Sequence, residues 1–257
     1  MSISVSSLGS GSKGNCVLIS NEKNNVLIDA GLSASCIYKK LSQHGLGFSD
    51  IDAVFITHEH DDHIKGVAEL ASVIPIYSHP DTLDYIANKY NIPFKSLMEI
   101  EEQEISIGTL DILPFRVSHD AIHPYGYRIC DSESKFTYLT DTGYISKGMF
   151  SIASGSDIIM LESNHDTELL KKGNYPEFLK KRILSDLGHL SNEESALTVC
   201  DLVNKGATKI MLAHISEQNN LPELAYYTTV NFLTKMQVER NAYTLKVASQ
   251  RDTVLLR

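Results

Sequence analysis

Positive charge is in short supply in this chain. Its 257 residues carry 23 Lys and Arg against 32 Asp and Glu, a formal net charge of −9. Nonspecific binding of a duplex draws on a broad cationic surface, so any nucleic-acid chemistry here has to rest on a local site. Cysteine is scarce as well. Cys16, Cys36, Cys130 and Cys200 are widely spaced with no C-x-x-C pair. That spacing excludes a cysteine-built zinc knot and a disulfide framework, and it points to free thiols in a reducing, cytoplasmic setting. No apolar run reaches the roughly 18 residues of a membrane span, so no membrane partner is expected. The first residues lack the basic-then-apolar order of a signal peptide. Repeats, low-complexity tracts and Pro/Gly/Ser linkers are missing too, which predicts one domain over residues 1–257. Hydrophobic residues make up 42%, enough for a sizeable core.

Histidine, by contrast, is concentrated. The apolar run Ala53-Val54-Phe55-Ile56 ends in Thr57-His58-Glu59-His60-Asp61-Asp62-His63. Imidazole and carboxylate donors suit Zn²⁺, Mn²⁺ or Fe²⁺. At a strand end His58 and His60 point the same way, because side chains alternate. A tight turn then brings Asp62 and His63 beside them, facing a second ion. Three further donors, His119, Asp141 and His214, lie at or near the ends of later apolar runs. Seven donors exceed what one four-coordinate ion accepts, so two divalent ions are expected. A paired site with open positions is built for hydrolysis. A structural zinc knot is the bland alternative, and it would call for cysteines in a closed shell.

The string from His58 to His63 resembles the signature of the metallo-β-lactamase superfamily. Asp29 in Val26-Leu27-Ile28-Asp29-Ala30-Gly31 matches its first motif, His119 its third, Asp141 its fourth and His214 its fifth, in order over nearly the whole chain. The opening Gly9-Ser10-Gly11-Ser12-Lys13-Gly14-Asn15, the string Val117-Ser118-His119-Asp120, and the segments Gly188-His189-Leu190-Ser191-Asn192 and Ser216-Glu217-Gln218-Asn219-Asn220 resemble the YycJ/WalJ group within it. The resemblance implies an αββα sandwich of two packed sheets with outer helices. It also implies 5′-exonuclease activity on DNA, with RNA as a further possible substrate class. It carries no oligomeric state.

On this reading His58, His60 and His119 bind one ion, while Asp62, His63 and His214 bind the other. Asp141 bridges them, because only a carboxylate has two oxygens to share. Paired ions lower the pKa of water toward ~7 and supply the nucleophile; Asp62 and His189 are the residues placed closest to the chemistry. The resemblance gives Asp29 an orienting role behind the ligands, with loop bracing as the alternative. It also makes His189 a phosphate contact or proton donor, as in tRNase Z-like enzymes. Ser216, Asn219 and Asn220 offer hydrogen bonds to phosphate, or else a helix cap. His165 and His123 are placed near the cleft, and His44 and His79 receive no role. Gly9, Gly11 and Gly14 fit a turn between strands or a phosphate cradle. The basic clusters Lys171-Lys172 and Lys180-Lys181-Arg182, with Lys13, offset the acidic balance only locally.

Strands are predicted at residues 3–8, 16–20, 25–29, 53–57, 110–117, 125–130, 136–140, 158–161 and 209–214, with two short ones at the end of the chain. Helices are predicted at 33–44, 64–72, 80–90, 191–204 and 222–238, the fourth opened by a Ser191/Glu194 capping box. Several alternatives share the metal site. A thioesterase or lactamase would keep all seven donors but needs an apolar wall for its acyl group. Flavodiiron chemistry places a glutamate where His60 stands. A β-CASP nuclease needs a long insertion, and only 72 residues separate Asp141 from His214. A regulatory protein of cell-wall signalling would tolerate lost ligands, and none is lost.

Overall fold

Helical and extended periods in the sequence resolve into four layers. The structure, a computed structural model, describes residues 2–256. The first half supplies β1 (Ser4–Gly9), β2 (Cys16–Ser20), β3 (Asn25–Ile28), α1 (Ala34–Ser42), β4 (Ala53–Phe55), α2 (Asp61–Ile64), α3 (Val67–Leu70), β5 (Ile76–Ser78), α4 (Pro80–Tyr90) and β6 (Leu97–Glu99). The second half supplies β7 (Ile105–Ile107), β8 (Leu110–Arg116), β9 (Tyr125–Cys130), β10 (Lys135–Leu139), α5 (Lys147–Ala153), β11 (Ile158–Glu162), α6 (Thr167–Lys172), α7 (Glu177–Ile183), α8 (Asn192–Val203), β12 (Lys209–Ala213), α9 (Pro222–Lys235), β13 (Thr244–Val247) and β14 (Val254–Leu256). One sheet has the order β14-β1-β2-β3-β4-β5-β6 and the other β13-β12-β11-β10-β9-β8-β7.

Three apolar clusters hold the layers together. Val5, Val17, Ile28 and Phe55 from the first sheet meet Ile112, Tyr127, Phe136 and Met160 from the second. The outer face of the first sheet packs on α1, α3 and α4 through Ile37, Leu41, Val67 and Leu83. The outer face of the second packs on α5, α8 and α9 through Met149, Val199 and Leu233. β3, β4 and β11 are buried on both faces, apart from Asn25 at the start of β3, which explains why they read as unbroken apolar runs rather than alternating ones. The expected αββα sandwich is the observed one.

Strand direction sets the position of the site. β3, β4 and β5 run parallel, and so do β10, β11 and β12. Their carboxyl ends therefore open at one edge of each sheet, where ligands gather in open α/β sheets. Three residues at these ends take left-handed backbone conformations: Asp29 (φ 62°), Asp141 (φ 54°) and His214 (φ 53°). Such a conformation costs a non-glycine residue ~1–2 kcal/mol, and residues held in it cluster at functional sites.

The sequence pattern erred in places. The helix expected at 64–72 is two single turns, α2 and α3, separated at Gly66. Gly66 donates to the Ala30 carbonyl at 2.7 Å, and a Cβ there would lie 2.4 Å from the Leu32 oxygen, so the chain must break to pass. β5, β6, β7, α5, α6 and α7 were not anticipated. The strands are three residues long and the helices six or seven, too short to develop a period. Among the described residues no helix is long and apolar enough to cross a membrane, and the four cysteines are free.

Candidate metal centre

All seven predicted donors meet at the shared edge. His58, His60 and His119 bring ligand atoms within 4.8 Å of one another, and Asp62, His63 and His214 do the same. Asp141 stands between them: its Oδ2 lies 3.4 Å from His63 Nε2 and its Oδ1 3.2 Å from His214 Nδ1. Asp141 is grouped with His58 and His63 on one side and with His214 on the other.

Four of the five donor histidines are held through Nδ1, whereas His60 Nδ1 lies 3.0 Å from His58 Nε2. His58 Nδ1 lies 2.9 Å from Thr57 Oγ1, whose hydroxyl is directed to Asp29. His63 Nδ1 donates to Asp29 Oδ2 at 2.7 Å, His119 Nδ1 to the Gly188 carbonyl at 3.2 Å, and His214 Nδ1 to Glu162 Oε1 at 2.8 Å. Each bond fixes the tautomer and turns the Nε2 lone pair inward, as metal-ligating imidazoles require. Asp29 is buried under His63 and also accepts the Thr57 N–H. Its neighbour Gly31 explains the rest of that motif. A Cβ there would fall 1.6 Å from the Asp62 carbonyl oxygen, so only glycine lets the two loops close.

Electrostatics argue for cations in this place. Asp29, Asp141 and Glu162 are 3% exposed or less, and burying carboxylates is costly without compensation. Burial, reinforced by the neighbouring imidazoles, holds His58 well below the usual histidine range, and burial takes His119 down to about 4; both are neutral lone-pair donors. Burial also pulls on His63 and His214. Asp29, Asp62 and Asp141 outweigh it at His63, which rises to about 9, and Asp141, Asp62 and Glu162 raise His214 well above its usual value. Protons there take the place that bound cations fill. Asp141 Oδ2 and His214 Nε2 are buried with no hydrogen-bond partner. The donor set and these orphaned atoms fit divalent ions.

Sequence reasoning missed the residue that ties the second sheet together. Glu162, at the end of β11, is fully buried and accepts four N–H groups. Its Oε1 takes His214 Nδ1 and His189 Nδ1, each at 2.8 Å. Its Oε2 takes the backbone N–H groups of Thr142 and Leu190. The signal was present: a carboxylate ends an apolar run, as at Asp29 and near Asp141. Asn15 was also missed. Its amide reaches Asp62 Oδ2 at 3.2 Å and His63 Nε2 at 3.1 Å.

The remaining expectations divide. His189 lines the cleft, its ring centroid 5.0 Å from that of His119 and 5.3 Å from that of His214. Ser216 lines it as well. Asn220 lies outside the cleft lining. It is buried, donates to the Ser163 and Asn164 carbonyls, and exchanges bonds with Asn192, so its amide is spent clamping the loop. Asn219 is likewise buried behind Ser216, which accepts its backbone N–H. His165 is buried with neither ring nitrogen bonded, and its backbone bridges to Ser191 behind the cleft. His123 lies outside the cleft lining and stacks on His79. Those two rings are parallel, 3.3 Å apart and inclined by 4°. With Asp81 they bring ligand atoms within 4.8 Å of one another, apart from the two triads. In the glycine-rich opening, Ser12 reaches the cleft, while Ser10 accepts the His214 N–H and braces it.

A family profile described as a beta-lactamase superfamily domain matches residues 24–215. The chain belongs to the beta-lactamase superfamily. It is 41% identical over 235 residues to "Exodeoxyribonuclease WalJ" of Streptococcus pneumoniae, covering 89% of this chain and 87% of that one. It is 37% identical over 229 residues to "Exodeoxyribonuclease YycJ" of Bacillus anthracis, covering 88% and 87%. Among solved structures, the metallo-beta-lactamase fold protein YhfI of Bacillus subtilis superposes with a TM-score of 0.75 at 16% identity, over 99% of this chain and all of that one. That likeness concerns the fold alone. Superfamily membership and the His/Asp groups together imply divalent metal binding.

Proposed function

We propose that this protein is a dinuclear metal-dependent phosphodiesterase that acts as a 5′-exonuclease on DNA. The observation that carries it is the set of four Nδ1-anchored histidines around Asp141, completed by a fifth, His189, that is anchored the same way but lies outside both ligand triads. Extensive identity to two exodeoxyribonucleases supports the substrate class. The centre would hold two ions, Zn²⁺ or Mn²⁺, with Fe²⁺ also suited to the donors. His58, His60 and His119 would hold one, Asp62, His63 and His214 the other, and Asp141, placed between the triads, would serve both. When bound, the ions acidify water and offset the charge of the phosphoryl oxygens.

The chain's own groups do the rest. Glu162 fixes the His189 proton on Nδ1 and leaves Nε2 as the nitrogen free to meet the phosphate or leaving oxygen. Asp62 stays ionised: burial raises its pKa, but His63 and His214 more than reverse that and hold it below the usual carboxylate range. It serves as a ligand and not as a proton donor. Ser216 and Ser12 offer hydroxyls at the cleft wall.

The deciding assay uses 5′-labelled single- and double-stranded DNA, with chelation and readdition of Zn²⁺ or Mn²⁺. Nucleotide release that follows the metal is expected, with two ions per chain by elemental analysis at saturation. Efficient cleavage of nitrocefin or lactoylglutathione with no attack on DNA or RNA would replace the nuclease reading by a small-molecule hydrolase. A second variant test addresses His189. His189→Ala is expected to keep both ions and to lose turnover by roughly 10²–10⁴-fold. Metal loss would make His189 a ligand, and unchanged turnover would remove it from the chemistry.

A further inference from the structure

The cleft beside the metal centre has a volume of about 220 Å³, and α7 forms one wall through Leu179, Arg182 and Ile183. Among the described residues that line it, Arg182 is the one lysine or arginine side chain. Of the other basic residues of this region, Lys181 is exposed and outside the cleft lining, and the rest are engaged elsewhere. Lys171 and Lys172 pair with Glu168, Lys180 pairs with Glu177, and Lys13 pairs with Glu217. In an acidic protein this singles out one cation at the mouth of the site.

Arg182 is also aimed. Asp120, the residue after the expected ligand His119, accepts Arg182 Nη2 at Oδ1 at 2.8 Å and Arg182 Nε at Oδ2. Asp120 Oδ1 is 3.4 Å from His119 Nε2, the nitrogen that faces the centre. The guanidinium therefore hangs from the metal loop itself, within reach of anything seated there. Guanidinium carries five N–H donors in a planar fork, and Asp120 uses two. Three remain for a second acceptor, and the fork matches phosphate bidentately. Exposed ion pairs contribute little to stability, so a stapling role alone gives no reason for an arginine, or for placing it in the cleft.

We infer that Arg182, held in place by Asp120, is a phosphate subsite of the active site and binds the phosphate of a DNA end next to the metal centre. This rests on the nuclease reading. Two phosphates fit the chemistry, the terminal 5′-monoester with three non-bridging oxygens and the adjacent internal diester with two, and either can fill the fork.

The test compares wild type, Arg182→Ala, Arg182→Lys and the control Lys172→Ala on DNA with 5′-phosphate or 5′-hydroxyl ends. Metal content and thermal melting are measured alongside. Arg182→Ala is expected to keep its ions and lose kcat/KM by roughly 10- to 100-fold. The slope of log kcat/KM against log salt is expected to flatten by about one. Arg182→Lys should recover part of the loss, since charge is kept and the fork is not; Lys172→Ala should match wild type. A larger loss on 5′-phosphate ends assigns the subsite to the terminal phosphate, and an equal loss assigns it to the internal diester. An unchanged salt slope, even with a lowered melting temperature, overturns the inference and leaves Arg182 a staple. Wild type without activity on DNA would instead overturn the nuclease reading itself.

Discussion

Asp141→Ala protein is expected to retain at most one ion and to show no measurable nuclease activity, while still folding. The carboxylate stands within 3.4 Å of a ring nitrogen of His63 and 3.2 Å of one of His214, and its Oδ2 has no hydrogen-bond partner. Without it, the cations proposed for the two triads would face each other with no shared anion, and repulsion would expel one. The apolar core between the sheets does not include this side chain, so the fold should survive. Alanine adds a local penalty of its own, because position 141 is left-handed at φ 54°. Asparagine tolerates that conformation better, so Asp141→Asn separates the lost charge from the backbone cost. Elemental analysis, thermal melting and DNA hydrolysis on both variants check the expectation. If either variant turns DNA over near the wild-type rate, Asp141 does not bridge.

Much of this centre could be read before the structure, for a physical reason. Ligands at the ends of parallel strands follow apolar runs, so His58, His60, Asp141 and His214 each come just after a recognisable strand. Long amphipathic or capped segments were equally plain, as with Pro80–Tyr90 and the Ser191/Glu194 capping box of α8. Three kinds of feature were not legible. Three-residue strands outside a longer apolar run, such as β5, and helices of two turns or fewer, such as α7, carry too little period, and α7 lines the cleft. Hydrogen-bond saturation is a property of the packed chain, so Asn220 looked like a phosphate donor until its amide was found bonded to Ser163, Asn164 and Asn192. Proximity across the fold was hidden as well. Nothing in the sequence brings Arg182 to Asp120, or Glu162 to His189 and His214.

Glu162 carries the second large effect. One oxygen receives N–H groups from two imidazoles, one on a proposed ligand and one on the proposed catalytic residue. The other oxygen receives the backbone N–H groups of Thr142, next to Asp141, and Leu190, next to His189. A single carboxylate thus sets the tautomer of both histidines and the loops that carry Asp141 and His189. In Glu162→Gln an amide N–H₂ must confront either the two imidazole donors or the two backbone donors. His214 is then free to flip or rotate, and metal affinity is expected to fall roughly 10- to 100-fold, the usual consequence of losing such an orienting partner. His189 loses its anchor in the same change, so turnover at saturating metal should fall further, by roughly 10²–10⁴-fold. Glu162→Ala should also lower the melting temperature, since two buried backbone donors would be left unpaired at about 1–3 kcal/mol each. Chelator competition measures the affinity, and kinetics at excess metal measure the chemistry. The combination Glu162→Gln with His189→Ala should cost less turnover than the product of the single changes, because both act through the same ring. Full multiplicativity, or wild-type metal affinity in Glu162→Gln, would mean that the carboxylate braces the loops without governing the histidines.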